Sequence, residues 1–241
     1  LPEGRRDRAG RRGAVSSFAA PAPVQAKRDD PARRAWNAGD GCNMHLIAGI
    51  FVGGRASRMG GVAKGLLLAP DGEPIVLRTR RILEEVGAEC VLVGAHPAYA
   101  DLGLEVIRDD PAAEGPLAGL LALLARASGR SGAIAVACDM PFIGRDVVRR
   151  LVDAPAAPIV AARRWAAERG RDVWEPLFAR YSSDPSVLSI ARAFASSGER
   201  KLQLLLDATG ARALSLTPEE EAMLADWDTL PVVGSRDSKE T

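Results

Sequence analysis

The chain has 241 residues and a mass of 25.4 kDa, and 47% of its residues are hydrophobic, enough for one domain with a substantial core. Its 32 Lys and Arg almost balance its 31 Asp and Glu, a formal net charge of +1, which argues against a dedicated nucleic-acid binder. Three cysteines (Cys42, Cys90, Cys138) without a CxxC pair and two histidines (His45, His96) exclude a disulfide scaffold, a zinc cluster and a His-rich metal site. No apolar run approaches the roughly 20 residues of a membrane span, so a cytoplasmic protein is expected.

The chain is not uniform. Residues 1–43 are rich in Arg, Ala, Pro and Gly and show no lasting apolar period. They hold nine basic and five acidic residues, a local net of +4, which leaves a net of −3 for the remainder. Such a segment buries too little apolar surface to offset chain entropy and is expected to be disordered. Asp7, Asp29 and Asp30 interrupt any transit-peptide pattern. The first methionine, Met44, stands directly before the first convincing strand. A start placed too early in translation and a genuine tail both remain open. The folded domain is expected over 44–234, with 235–241 as a disordered C-terminus.

From Met44 the pattern is regular. His45 to Val52 is a continuous apolar run, as in a strand buried on both faces. A Gly-rich loop follows, Gly53 to Gly65. Pro74 opens a helical pattern that stops at Gly87. Glu89 to Val93 and Leu104 to Ile107 read as strands. Pro116 to about Ser128 reads as a helix, Ala133 to Ala137 as a strand ending at Cys138 and Asp139, and Asp146 to Val152 as a helix. Ile159 to Ala162 and Trp174 to Tyr181 read as strands, Pro185 to Ala195 and Lys201 to Ala208 as helices, and Arg212 to Leu216 as a last strand. Strands alternating with helices predict an α/β fold with a mainly parallel sheet. In such open sheets ligands sit outside the carboxyl ends of the strands. Three places are therefore marked: the loop after Val52, Asp109 and Asp139.

The loop reads Gly53-Gly54-Arg55-Ala56-Ser57-Arg58-Met59-Gly60-Gly61-Val62-Ala63-Lys64-Gly65. Glycines let backbone N–H groups approach a ligand closely, and Arg55, Arg58 and Lys64 add full positive charges. That suits a triphosphate, although a Gly-rich loop alone is as often a plain surface loop. It is neither a P-loop, since Gly65 stands where Ser or Thr is required, nor the dinucleotide fingerprint, since Arg55-Ala56-Ser57 follows Gly53-Gly54. Asp139 in Cys138-Asp139-Met140-Pro141 ends a strand, where a carboxylate can hold magnesium with phosphate oxygens or cap the next helix. Asp109 is a second strand-end acid, and alone would be a turn residue more often than a ligand. Glu114 to Gly119 forms a tight turn whose backbone could read a base edge. Cys138 reads as a small buried residue, and His96 as a cap of the second strand rather than a catalyst. Trp165 and Trp174, among Arg163, Arg164, Arg169 and Arg171, read as part of a solvated charged loop in preference to a wall for an anionic ring.

Taken together, GGRASRMGG-x-x-K-GLL, VIRDD, GPLAG and CDMPF resemble the molybdenum cofactor guanylyltransferases of the MobA type. These are nucleotidyltransferases with a Rossmann-like, glycosyltransferase-A-like fold. Later segments are similar more loosely: Glu175 to Tyr181, Gly198 to Lys201 and Asp226 to Thr229. GPLAG favours the guanylyl over the cytidylyl branch. The resemblance implies a three-layer domain in which Gly53, Gly54, Lys64, Asp109, Gly115 and Asp139 bind the nucleotide. Arg58 and Lys64 would act on the phosphates, and Asp139 would bind Mg2+. Asp226 and Asp228 resemble a late acidic or Asn pair near the metal. Ala63 stands where that family usually has Asp, and Val52 where it usually has Ala.

The implied reaction is attack by the terminal phosphate of a molybdopterin-type cofactor on the α-phosphorus of GTP, with release of pyrophosphate. Contacts with a molybdoenzyme or cofactor chaperone would follow. A phosphate nucleophile needs no general base, which fits a chain without a Ser-His-Asp or Cys-His set. The alternatives are a related enzyme using CTP or another phosphate acceptor, and a catalytically weak nucleotide-binding homologue. A nucleic-acid role for the basic tail carries little weight.

Overall fold

The computed structural model describes residues 45–53, 63–166 and 169–225. The tail expected at 1–43 and the C-terminus expected at 235–241 lie outside these residues.

The described residues build a seven-stranded sheet in the order β3-β2-β1-β4-β6-β5-β7. Its strands are β1 (Leu46–Phe51), β2 (Ala88–Val93), β3 (Val106–Ile107), β4 (Gly132–Ala137), β5 (Ile159–Ala166), β6 (Arg171–Ser182) and β7 (Arg212–Leu214). Every neighbouring pair is parallel except those made by β6, which runs antiparallel to both β4 and β5. Strand β1 is wholly buried, as a central strand covered on both faces must be, and hence reads as an unbroken apolar run.

Alternation along β1 divides the core in two. Ala48 and Ile50 face one layer, with Val76, Ile82 and Leu83 of α1 (Ile75–Glu85) and Val147, Val148 and Leu151 of α3 (Arg145–Asp153). Ile47 and Phe51 face the other, with the leucines of α2 (Pro116–Arg126), with Val187 and Ala191 of α4 (Pro185–Ser196), and with Leu205 and Leu206 of α5 (Leu202–Ala208). The result is the expected three-layer α/β sandwich. A short α6 (Pro218–Met223), closed by a Thr217–Glu220 capping box, completes the described helices.

Strand Gly49 lies under α2. A Cβ there would come within 2.6 Å of Val93 Cγ2 and 2.8 Å of Leu123 Cδ2, so glycine is what lets α2 sit close to the sheet. Deep in the sheet Arg180 is buried, and its guanidinium donates to the carbonyls of Val152 in the last turn of α3 and of Ala154 and Pro155 just past it. Loss of solvation lowers its pKa to about 10, so it stays charged at neutral pH.

Three features differ from the sequence reading. Strands β5 and β6 run on to Ala166 and from Arg171, so Arg163, Arg164 and Trp165 belong to a hairpin arm and not to a solvated loop. The arm escaped notice because its strands pair chiefly with each other and carry charge on exposed positions. Its two tryptophans part company. Trp174 is buried, with Arg163 over its ring at 5.1 Å, whereas Trp165 is 58% exposed. A 3-10 helix, Pro97–Leu102, follows β2, and His96 caps that helix through Nδ1, accepting from Ala98 N–H at 3.2 Å. Finally, β7 stops at Leu214.

Candidate active site

The chain crosses from β1 through α1 to β2 on one side of β1, and from β3 through α2 to β4 on the other. The reversal falls between β1 and β4, and ligands bind at such switch points. Cys138 N–H donates to the Phe51 carbonyl at 3.3 Å, which holds the two strand ends together.

Lys64 and Asp139 meet there. Lys64 opens a 3-10 turn, Lys64–Leu66, fixed by N–H bonds from Leu66 to the Ala63 carbonyl and from Leu67 to the Lys64 carbonyl. Its Nζ lies 3.3 Å from Asp139 Oδ2, with the two side chains 26% and 23% exposed. A cation and a carboxylate, both partly desolvated beside the end of β4, make a site that can hold phosphate oxygens on one side and a divalent ion on the other.

Tyr99 places this turn. Its hydroxyl accepts from Gly65 N–H at 3.0 Å in a buried position. A Cβ at Gly65 would crowd this packing, 3.1 Å from the Tyr99 hydroxyl and 3.2 Å from Cys138 Cβ, so those neighbours would have to give by a few tenths of an ångström. Burial foremost, then Cys138 beside the hydroxyl, pushes the Tyr99 pKa up to about 12; burial likewise pushes the Cys138 thiol to about 11. Both therefore remain protonated at neutral pH. His96 supports Tyr99 edge-on at 5.4 Å between ring centres. Nothing in the sequence reading marked Tyr99. A single tyrosine after a His-Pro pair carries no periodicity, and its partner Gly65 is 34 residues away.

Asp109 sits across β1 from that pair, on a patch of three glycines. Its carboxyl oxygens lie 3.9, 3.7 and 3.2 Å from the positions that Cβ atoms of Gly53, Gly94 and Gly119 would take. The strands touch here: a Cβ on Gly94 would be 2.6 Å from Gly53 Cα, and Gly94 also has φ +89°. Val52 and Gly53 both donate to the Val93 carbonyl, at 3.0 and 3.2 Å. Desolvation raises the Asp109 pKa above the usual aspartate value. The glycines leave room for a ligand's hydroxyl or N–H groups to reach this carboxyl.

Gly115 caps α2 with φ 63° and is followed by Pro116 at the first helical position. Pro116, Ala137 and Asp139 line one cavity of about 330 Å3, which brings the α2 start and the β4 end to the same cleft. The structure thus unites Lys64 with Asp139, sets Gly53 beside Asp109, and places Gly115 directly before Pro116 of the cleft wall. Gly54, Arg55, Arg58, Asp226 and Asp228 lie outside the described residues. Gly94 was missed although it directly follows a buried strand. Among the described residues no helix is long and apolar enough to cross a membrane.

The family model of the MobA-like NTP transferase domain matches residues 48–213. The chain belongs to this family. A molybdenum cofactor guanylyltransferase of Burkholderia orbicola is 37% identical over 169 residues, covering 65% of this chain and 80% of that protein. One from Cupriavidus metallidurans is 31% identical over 198 residues, covering 79% and 93%. Among solved structures, the molybdopterin-guanine dinucleotide biosynthesis protein A of Archaeoglobus fulgidus shares the fold, with a TM-score of 0.53 and 21% identity over 70% of this chain and 82% of that one. As a MobA-like NTP transferase, the chain carries Asp139 just past the end of β4, with Lys64 of the 3-10 turn paired to it, on the side of the sheet where this architecture binds ligands.

Proposed function

We propose that this protein transfers GMP from GTP to the terminal phosphate of a molybdopterin-type acceptor. The observation that carries the reading is the Lys64–Asp139 pair at the β1–β4 switch point of a MobA-like chain. An oxygen of the acceptor phosphate attacks the α-phosphorus of GTP. The bond from that phosphorus to the bridging oxygen breaks, and pyrophosphate departs with the bonding electrons. The nucleophile is already ionised near neutral pH, so no side chain has to remove a proton.

The chain's task is positioning and charge neutralisation. Lys64, fixed through Gly65 and Tyr99, sets a positive charge against the phosphates. Gly53 lets the β1 end approach them, with Gly54 and Arg58 of the same loop assigned to that work. Asp109 and Gly115 receive the guanosine side. Mg2+ usually takes one or two carboxylates and fills its remaining positions with phosphate oxygens and water. A single partly exposed Asp139 fits such an ion, and no cluster of three or more acidic, His or Cys groups exists among the described residues. When bound, the ion would supply charge stabilisation to the phosphates. The reaction would run in the cytoplasm, with the product passed to a molybdoenzyme or a cofactor chaperone.

Pyrophosphate release tests the reading, measured with GTP, CTP, ATP and UTP, each with and without molybdopterin. Release is expected only with GTP and molybdopterin together. Release with CTP, or independent of the pterin, would replace this substrate pair by another.

A further inference from the structure

Lys64 and Asp139 stand 75 residues apart in the chain, and a short connection follows each of them. After Lys64 the chain turns through residues 67–74 into α1, and after Asp139 it runs from Met140 to Gly144 into α3. The first connection is a tight turn. Ala69 N–H donates to the Glu73 carbonyl and Gly72 N–H to the Ala69 carbonyl, both at 2.9 Å, and Leu68 bridges to Pro74. Leu67 couples this turn to Lys64: its N–H donates to the Lys64 carbonyl and its carbonyl accepts from Ile75 N–H, both at 3.0 Å. The second connection is anchored by Met140 and Ile143, which are buried in the core layer shared by α1 and α3.

One side chain reaches both connections. Arg78 of α1 donates through Nε to Asp71 Oδ2 at 2.9 Å, and through Nη1 to the Ile143 carbonyl. Asp71 stands at the tip of the first connection, where its other oxygen accepts from Glu73 N–H at 3.2 Å. The Arg78 side chain is only 18% exposed. The two connections therefore meet twice, once at the Lys64–Asp139 pair and once at Arg78. A closed circuit runs from Lys64 through Asp71, Arg78 and Ile143 to Asp139 and back. Such a circuit fixes the spacing of its reactive pair, because neither connection can shift along α1 without breaking a charge-assisted bond. Arginine suits the task, since its planar fork serves two acceptors in fixed directions and a lysine ammonium does not.

Arg81, one turn further along α1, supplies an internal contrast. It holds the same first connection through Glu73 at 2.9 Å and pairs with Glu85 of its own helix at 3.2 Å. It is 51% exposed, and neither partner belongs to the Asp139 connection.

We propose that Arg78 is a positioning residue for the transfer: by tying the connection after Lys64 to the connection after Asp139, it sets the distance between the cation and the carboxylate that handle the phosphates. This rests on the transfer reaction above.

The test compares full-length Arg78→Ala with Arg81→Ala by thermal unfolding, by GTP binding in calorimetry and by pyrophosphate release with GTP and molybdopterin. Arg78→Ala should lower kcat about 10- to 100-fold, with the affinity and KM for GTP within about threefold of wild type, as a misplaced reactive group does. Arg81→Ala should keep kcat within about twofold, because it removes only exposed ion pairs. In a Lys64→Ala background the further change Arg78→Ala should cost at most about threefold, since the pair that Arg78 spaces is gone. Unchanged kcat in Arg78→Ala, equal losses in the two arginine variants, or full additivity with Lys64→Ala would each overturn the proposal. If Arg78→Ala does not fold, Arg78→Lys keeps the charge and most of the stem but loses the fork. It should still lower kcat about tenfold, and wild-type kcat in it would equally overturn the proposal. Wild-type protein that shows no turnover with GTP and molybdopterin would remove the reaction itself, a result distinct from an Arg78 variant that behaves like active wild type.

Discussion

Two regions along the strand ends are built by different means. Around β1 the site is made of main chain and single charges: Gly53, Gly94 and Gly119 around Asp109 on one side of it, and one Lys64–Asp139 pair on the other. At the β5–β6 end it is made of side chains that reach across the fold to fix other backbones, Gln203 on Trp174 and Tyr181 on Pro176. The first design suits phosphates, which differ little from one nucleotide to another and need charge and close backbone approach. The second suits a rigid wall, because side chains that bond to distant backbone hold that backbone still. Changes at the first end should therefore act mainly on rate, and changes at the second mainly on stability.

The largest expected effect is at Asp139. Asp139→Ala should lower turnover at least about a thousandfold with the thermal midpoint unchanged. A rate close to wild type would remove the metal from this carboxylate. Lys64→Ala comes next, at about a hundredfold or more in kcat/KM, read by pyrophosphate release. A mere twofold loss would take Lys64 out of the site.

Gln203→Ala breaks the other end. It should cost about 2 kcal/mol and several degrees of thermal midpoint by freeing both Trp174 backbone groups, while GTP affinity holds. A change in GTP affinity without any loss of stability would erase the distinction between the two ends. Tyr99→Phe removes the acceptor for Gly65 N–H and should cost about 1 kcal/mol of stability. It should lower kcat up to about tenfold through the misplaced Lys64, more than so small a destabilisation alone would do.

The smallest effect concerns Asp109 and pH. Its pKa is raised in the folded state, so the native protein holds this proton more tightly than the unfolded chain. Its contribution therefore declines as pH rises from the ordinary aspartate value through the raised one, and stays low above that. Asp109→Asn should flatten this slope in chemical denaturation curves measured across that acidic window. An unchanged slope would show that Asp109 is fully solvated.

The same contrast explains what the sequence revealed. Strand β1, the helix starts at Pro74, Pro116 and Pro185, and the strand-end acids Asp109 and Asp139 are signals carried by neighbouring residues, and each was legible. The alternating pattern also marked the loop after β1 and the end of β4 as neighbouring strand ends, whereas the direct pairing of Lys64 with Asp139 is a tertiary contact that no local pattern carries. The β5–β6 arm was not legible beyond Ala162, since its charged exposed positions resemble a loop and its pairing partner is the arm itself. Tyr99, Gln203 and Tyr181 were invisible for a related reason. Each acts through one hydrogen-bonded backbone set by the tertiary fold, and no local pattern encodes such a bond.

The most direct test of the account is to follow labelled phosphorus through a single turnover with molybdopterin. With GTP labelled at the α-position, the label should appear in the pterin product, and with GTP labelled at the γ-position, in pyrophosphate. Transfer of the γ-label to the pterin, or α-label leaving as free GMP without a pterin adduct, would contradict nucleotidyl transfer at the Lys64–Asp139 site.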